Sequence, residues 1–152
     1  MRLSQKSRYA LRALQILARE NGPMLISDLV GREGMPKKFL EVILLQLKNH
    51  GLLQAKRGKG GGYSLGKDPK EITLGQVIRI FDGPLAPIPC ASETAFRKCD
   101  ECEDIGVCGT RMVMREVRDA TAKILDHTTL ADLTKRVDDA KAVKSGTLHF
   151  DI

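Results

Sequence analysis

The chain has no tryptophan, only two tyrosines and only four phenylalanines. So few aromatic platforms speak against a protein that binds single strands by stacking successive bases. No apolar run approaches the roughly 18 residues that a membrane-crossing helix needs, so no span is predicted. The opening MRLSQKSRYALRALQILAREN holds neither a long uncharged apolar core nor a small-residue cleavage site. That is not a secretory signal, and the expectation is a cytoplasmic chain. Histidine is sparse: His50, His127 and His149 stand far apart, and no Ser/His/Asp grouping or convergent acid–base set can be assembled. Neither an enzyme nor a small-molecule substrate is therefore predicted. Internal repeats and low-complexity tracts are also absent.

What is present is an ordinary globular composition, 42% hydrophobic and 29% charged over 152 residues, enough for one domain and an appendage. The net charge of +6 is unevenly spread. Residues 1–80 carry 15 Lys/Arg against 6 Asp/Glu, whereas residues 81–152 carry 10 against 13. A basic first half and a slightly acidic second half invite a polyanionic partner at the amino-terminal end, most simply nucleic acid.

Apolar spacing predicts the elements. Tyr9, Ala10, Ala13, Leu14 and Leu17 recur at three and four, giving an amphipathic helix over 5–20 capped by Ser4. Ser27 is expected to cap a short second helix that buries Leu29 and Val30 and ends at Gly34. Pro36 suits the first position of a third helix, which runs to about Asn49. Phe39, Leu40, Ile43, Leu44 and Leu47 form its apolar face, and Lys37, Lys38, Glu41 and Lys48 its polar one. Helix, short helix, turn and helix within about fifty residues is the pattern of a helix-turn-helix.

LLQAK, RGKGGG and YSLG then read as two strands joined by a basic glycine turn. A basic hairpin directly after a helix-turn-helix makes a winged helix. Gly60 and Gly61 allow close approach to a backbone, and Arg57 and Lys59, with Tyr63 beside them, are placed to reach phosphates or a narrow minor groove. RGKGGG is not a nucleotide-enzyme phosphate loop, because a strand-forming Tyr-Ser-Leu follows it rather than Lys-Ser/Thr and a helix. Thr73 is expected to cap a fourth helix near 74–82 bearing Leu74, Val77, Ile78 and Phe81. A loop over 83–106 follows, then a long helix from about Val107 to His127. Val113, Val117, Ala120 and Ile124 give that helix a seam suited to a second copy of the chain. Thr129 is expected to cap a short last helix over 130–137, and the tail from 140 shows no pattern.

All four cysteines, Cys90, Cys99, Cys102 and Cys108, fall within nineteen residues, separated by eight, two and five. In a cytoplasmic protein such a set points to metal or redox chemistry rather than a disulfide framework. The two-residue gap lets Cys99 and Cys102 face one centre. Three chemistries fit: an iron–sulfur cluster, a structural zinc, or a reversible disulfide using two of the four. The acidic run Asp100, Glu101, Glu103 and Asp104 favours a cation over a cluster of negative charge, unless those carboxylates face water.

The opening MRLSQKSRYALRAL, the helix KKFLEVILLQLKNHGLL, the wing KRGKGGGYSLGKDPKEITLGQVI, the cysteine-bearing loop and the late TLADL together resemble the bacterial winged-helix regulators that include IscR, NsrR and CymR. The resemblance covers residues 1–137 and is most specific in the wing. It implies a homodimer that sets a recognition helix in the major groove and a wing arginine near the minor groove of a partly palindromic operator. It also implies that Glu41 tunes base selection, that Arg57 is the wing arginine, and that a cluster in the loop alters DNA affinity. Cys90, Cys102 and Cys108 resemble the family's three loop cysteines. The histidine that completes the cluster in IscR is Arg111 here, and the amino-terminal aspartate proposed in NsrR is Arg8. Neither can ligate. The additional cysteine, Cys99 or Cys102 according to how the gap is aligned, is the expected replacement, giving an all-cysteine [2Fe–2S] or [4Fe–4S] site, with zinc as the alternative cofactor.

The expectation is thus a mainly α protein. Residues 1–82 form a winged helix-turn-helix with a two-stranded wing, 83–106 a sensor loop, 107–139 a dimerisation helix with a short closing helix, and 140–152 a tail. Its expected role is a homodimeric transcription regulator, a repressor by the family's habit, with a double-stranded DNA operator as partner.

Overall fold

A computed structural model describes residues 1–146; His149 and the end of the expected tail lie outside the described residues. Helix α1, Gln5–Arg19, starts where Ser4 accepts the Ser7 N–H. It buries Ala10, Ala13, Leu14 and Leu17, while Tyr9 packs edge-on against Phe39 with ring centroids 5.6 Å apart. Helix α2, Ile26–Glu33, ends at Gly34 in the left-handed conformation, φ +63°. Its cap position is Leu25 rather than the expected Ser27, which lies inside the helix. The reason is tertiary: Met24 exchanges two 2.8 Å backbone hydrogen bonds with Tyr63 and fixes where the chain enters the helix.

Helix α3, Lys37–Asn49, buries Leu40, Ile43, Leu44 and Leu47. Pro36 sits one position before its first helical residue and accepts the Leu40 N–H at 3.0 Å. Strands β1, Leu53–Lys56, and β2, Gly62–Leu65, pair antiparallel with Leu53 opposite Leu65 and Lys56 opposite Gly62. Helix α4, Leu74–Asp82, opens on a capping box between Thr73 and Gln76. Its last residue, Asp82, accepts hydrogen bonds from the Ser4 N–H and the Ser7 hydroxyl, at 3.1 and 2.7 Å, tying the end of α4 to the start of α1.

The segment 83–106 is irregular, as expected, apart from 3₁₀ turns at Pro89–Ala91 and Ile105–Val107, the second ending just past it. Helix α5, Gly109–His127, follows, with Cys108 as its cap residue. Helix α6, Leu130–Lys144, opens on a second capping box, Thr129 with Asp132. It is a full helix, not the short one expected over 130–137. Leu130 is its buried residue, Leu133 and Val137 are half-buried, and the turns beyond Val137 are mostly exposed, so the expectation stops where packing stops. They persist on helix-favouring Ala and Lys, the Lys135–Asp139 pair, and Arg19, which reaches the Asp138 carboxylate at 2.6 Å.

One core joins the first four helices, the wing and Leu130. The corner between α5 and α6 is stitched to it by Leu74 N–H to the Thr128 carbonyl and Leu130 N–H to the Ile72 carbonyl, at 3.0 and 2.7 Å. The fold is therefore mainly helical, with six helices and a two-stranded wing among the described residues. Helix α5 stands apart: of its nineteen residues only Arg118 is buried. Its apolar side chains Val113, Val117 and Ile124 are 53%, 43% and 64% exposed, so the expected seam is left uncovered by the described residues.

Candidate nucleic-acid interface and cysteine turn

The outward face of α3 follows from its buried one. With four side chains sunk in the core, Lys37, Lys38 and Glu41 are left exposed on the first two turns. The wing tip carries Arg57 and Lys59, both exposed, on a turn in which Gly58 and Gly60 have φ of +87° and +72°. Among the described residues, Lys37, Lys38, Arg57 and Lys59 take part in no ion pair, whereas Arg12, Arg19, Arg32 and Arg79 are paired with Glu33, Asp138, Glu20 and Asp126. The paired arginines fasten helices to one another, and the four unpaired cations remain free to meet phosphate.

Gly61 and Tyr63 sit differently. Gly61 is buried, and a side chain there would come within 2.3 Å of the Lys56 carbonyl oxygen. Tyr63 is half-buried, packed on the core and bridged to Met24. These two residues shape and anchor the wing, while Gly60 lies exposed at its tip.

The four cysteines are all free thiols. Cys90 lies buried in the turn Pro89–Ala91, and its sulfur is 3.9 Å from that of the exposed Cys99. Backbone geometry brings them together: the Arg97 N–H donates to the Pro89 carbonyl at 3.3 Å, folding the chain back over the turn. Burial pushes the Cys90 thiol upward, and its contact with Cys99 pushes further, with a smaller contribution from Cys108. Cys108 is half-buried and accepts the Arg111 N–H at 3.5 Å. Cys102 is joined to Cys99 through its own N–H, which donates to the Cys99 carbonyl at 3.2 Å. A cleft of about 280 Å³ lined by Pro89, Arg97, Lys98, Cys99 and Asp100 opens beside the exposed thiol.

A tetrahedral thiolate centre with sulfur bonds of about 2.3 Å has a sulfur–sulfur edge of about 3.8 Å. The Cys90–Cys99 pair matches such an edge. Among the described residues, however, no three His, Cys, Asp or Glu side chains are gathered closely enough to hold a metal ion. The structure thus brings the sulfurs of two of the four expected ligands, Cys90 and Cys99, within 3.9 Å of each other.

Sequence reasoning missed the groups that hold this turn in place. Arg111 donates through Nε to the Cys90 carbonyl at 2.9 Å, and Arg118 donates through Nη1 to the Ala91 carbonyl at 2.6 Å. Both arginines are on α5. Arg118 also pairs with Asp119 at 2.5 Å and Glu93 at 3.2 Å. The only trace in the sequence is their spacing of seven, which puts both on one side of a helix.

Comparison with known proteins bears on the fold and the family. Residues 3–136 match the Rrf2 family model, described as an iron-dependent transcriptional regulator. An rrf2-like HTH-type transcriptional regulator of Rhodobacter capsulatus is 41% identical over 136 residues, covering 86% of this chain and 91% of that protein. The HTH-type transcriptional regulator IscR of Serratia proteamaculans is 33% identical over 140 residues, covering 91% and 82%. Among solved structures, CymR, the global cysteine regulator of B. subtilis, superposes with a TM-score of 0.72 at 29% identity, covering 90% of this chain and 98% of that one.

Proposed function

The chain belongs to the Rrf2 family of DNA-binding transcriptional regulators, which are not enzymes, and from that premise we propose a homodimeric repressor whose operator affinity is modulated by an iron–sulfur cluster on Cys90, Cys99, Cys102 and Cys108. The observation that carries the sensor half of this reading is the 3.9 Å pair of sulfurs on a turn held to α5 by two arginines.

Each part of the chain has its task. Lys37 and Lys38 meet phosphates or base edges as α3 enters the major groove, and Glu41 accepts from a cytosine amino group. Arg57 and Lys59 anchor the wing on the backbone, which Gly60 lets approach closely. Val113, Val117 and Ile124 cover one another across a two-fold axis, setting the spacing of two recognition helices to match half-sites one turn of DNA apart. When bound, the cluster supplies chemistry responsive to iron, oxygen or nitric oxide. The four thiolates would hold it, Cys99 and Cys102 from the loop, Cys90 from the turn and Cys108 from the cap of α5. Arg111 and Arg118 carry any movement of that turn into α5, and so into the dimer.

The same sulfur pair favours one other reading, a thiol switch. Cys99 is exposed to an oxidant that could take two electrons and both thiol protons, leaving a Cys90–Cys99 disulfide. A structural zinc on the four thiolates is the remaining alternative.

Anaerobic reconstitution with ferrous iron and sulfide, followed by metal and sulfide counts and by binding to a duplex selected from a random library, separates these readings. The cluster predicts a coloured protein whose operator affinity differs at least tenfold between loaded and unloaded forms, a difference lost in Cys90→Ala and Cys102→Ala. A colourless zinc adduct or a diamide-sensitive affinity supports the alternatives. Equal affinity in every state removes the sensor and leaves a plain DNA-binding regulator.

A further inference from the structure

Two apolar side chains on α3 have no role in the core. Val42 and Leu45 are 48% and 50% exposed, although Leu40, Ile43, Leu44 and Leu47 on the same helix are fully buried. At about 100° per residue, Lys37, Lys38, Glu41, Val42, Leu45 and Lys48 share one outward arc of about 140°. Val42 lies immediately after Glu41, one turn beyond Lys38, and Leu45 lies one turn beyond Glu41.

Scattered surface apolar residues are common and carry no message by themselves. These two differ in their setting. They sit between the cations Lys37 and Lys38 at one end of the helix and Lys48 at the other, with Arg57 and Lys59 on the neighbouring wing. A protein partner offering an apolar surface would find this ring of unpaired positive charge costly to cover. A polyanion is complementary to it. Within the major groove of duplex DNA, the apolar feature that a base pair offers is the thymine C5 methyl group.

We propose that Val42, with Leu45 behind it, is a specificity-determining contact for a thymine methyl, next to the base read by Glu41. This rests on α3 entering the major groove, and it adds a base identity. Glu41 takes the amino group of a cytosine and Val42 the methyl of a neighbouring thymine, so each half-site carries cytosine and thymine side by side. Val42 makes no charged contact, so it affects which sequence is bound and not how binding depends on salt.

The test uses the full chain and a duplex selected by it from a random library. Each thymine of the half-sites is replaced by deoxyuridine, which removes the methyl and leaves every hydrogen-bonding group in place. The expected loss for the unaltered protein is roughly fourfold per half-site at one position, about the effect of one buried carbon, and about sixteenfold with both half-sites changed. Val42→Ala should bind thymine and deoxyuridine duplexes nearly equally, with the salt slope of the unaltered protein. Leu45→Ala should show a smaller loss of discrimination. Equal binding of the two duplexes by the unaltered protein at every position overturns the proposal while leaving DNA binding intact. A library that yields no preferred duplex overturns the major-groove reading itself.

Discussion

Replacing Arg118 by Met should destabilise the protein by about 2 kcal/mol, and the structure says why. The Ala91 carbonyl is in a turn that is 1% exposed at Ala91 and accepts the Arg118 Nη1–H at 2.6 Å. Methionine preserves much of the aliphatic stem but has no donor. An acceptor stranded in a buried site costs about 1–3 kcal/mol. The acidic partners add little to that figure. The side chains of Asp119 and Glu93 are 63% and 74% exposed, so water replaces the guanidinium for both, and exposed pairs contribute about 0–1 kcal/mol. For a chain of this size, 2 kcal/mol lowers Tm by roughly 4–8 °C. Urea unfolding and calorimetry, run at one protein concentration so that any self-association contributes equally, measure it. Glu93→Gln is the control, expected within about 0.5 kcal/mol of the unaltered protein. A Tm change under about 1 °C in Arg118→Met, or an equal loss in Glu93→Gln, would refute the reasoning that the buried carbonyl matters and the exposed charges do not. A second measurement tests the coupling: the rate at which Cys90 reacts with a bulky disulfide reagent should rise, because the turn is no longer held to α5.

Removing the Arg57 side chain as Arg57→Ala should weaken binding similarly on all DNA sequences and flatten the salt dependence by about one ion released per subunit, measured by titration across salt concentrations; an unchanged slope places Arg57 away from phosphate. Val117→Glu puts a charge into the exposed seam of α5 and should shift the protein toward monomer in sedimentation velocity, with loss of operator binding; a dimer of unchanged affinity would locate the interface elsewhere. Asp126 is held below the ordinary carboxylate range, chiefly by its hydrogen bonds from Arg79 at 2.5 and 2.9 Å. A depressed carboxyl stabilises the fold above its unfolded value, near 4, and that stability is lost as pH falls through the folded value. Asp126→Asn should therefore lower stability at pH 6–7, with the gap to the unaltered protein closing below about pH 4; a gap that persists at pH 2 would point to packing instead.

The parts of this molecule legible in its sequence are those set by local rules. Ser4, Thr73 and Thr129 each cap the helix they precede, because a side-chain oxygen two or three residues ahead of an unpaired N–H depends on little beyond the chain itself. The buried face of α3 followed from spacing, and its outward face followed from the buried one. Legibility failed where a distant contact decided. The start of α2 is set by Met24 pairing with Tyr63, about forty residues on, and the persistence of α6 by good helix formers and a reach from Arg19. The cysteine turn was hidden from the sequence for the same reason. Spacing lets Cys99 and Cys102 face one centre, but it does not reveal that the sulfurs of Cys90 and Cys99 lie 3.9 Å apart, because a backbone hydrogen bond from Arg97 to Pro89 folds the loop back on itself. That contact brings the exposed thiol to the buried one, and two arginines of a helix otherwise turned outward hold the buried one in place. The arrangement has a consequence for any chemistry at these sulfurs. A change at Cys99 meets solvent first, and one route from it to α5 runs through Cys90 and the carbonyls of residues 90 and 91. Blocking Cys99 with a small alkylating group while leaving Cys90 free should then alter DNA binding less in Arg111→Ala than in the unaltered protein, measured on the same selected duplex. An equal effect in both would mean that the thiols speak to the DNA-binding half by another route.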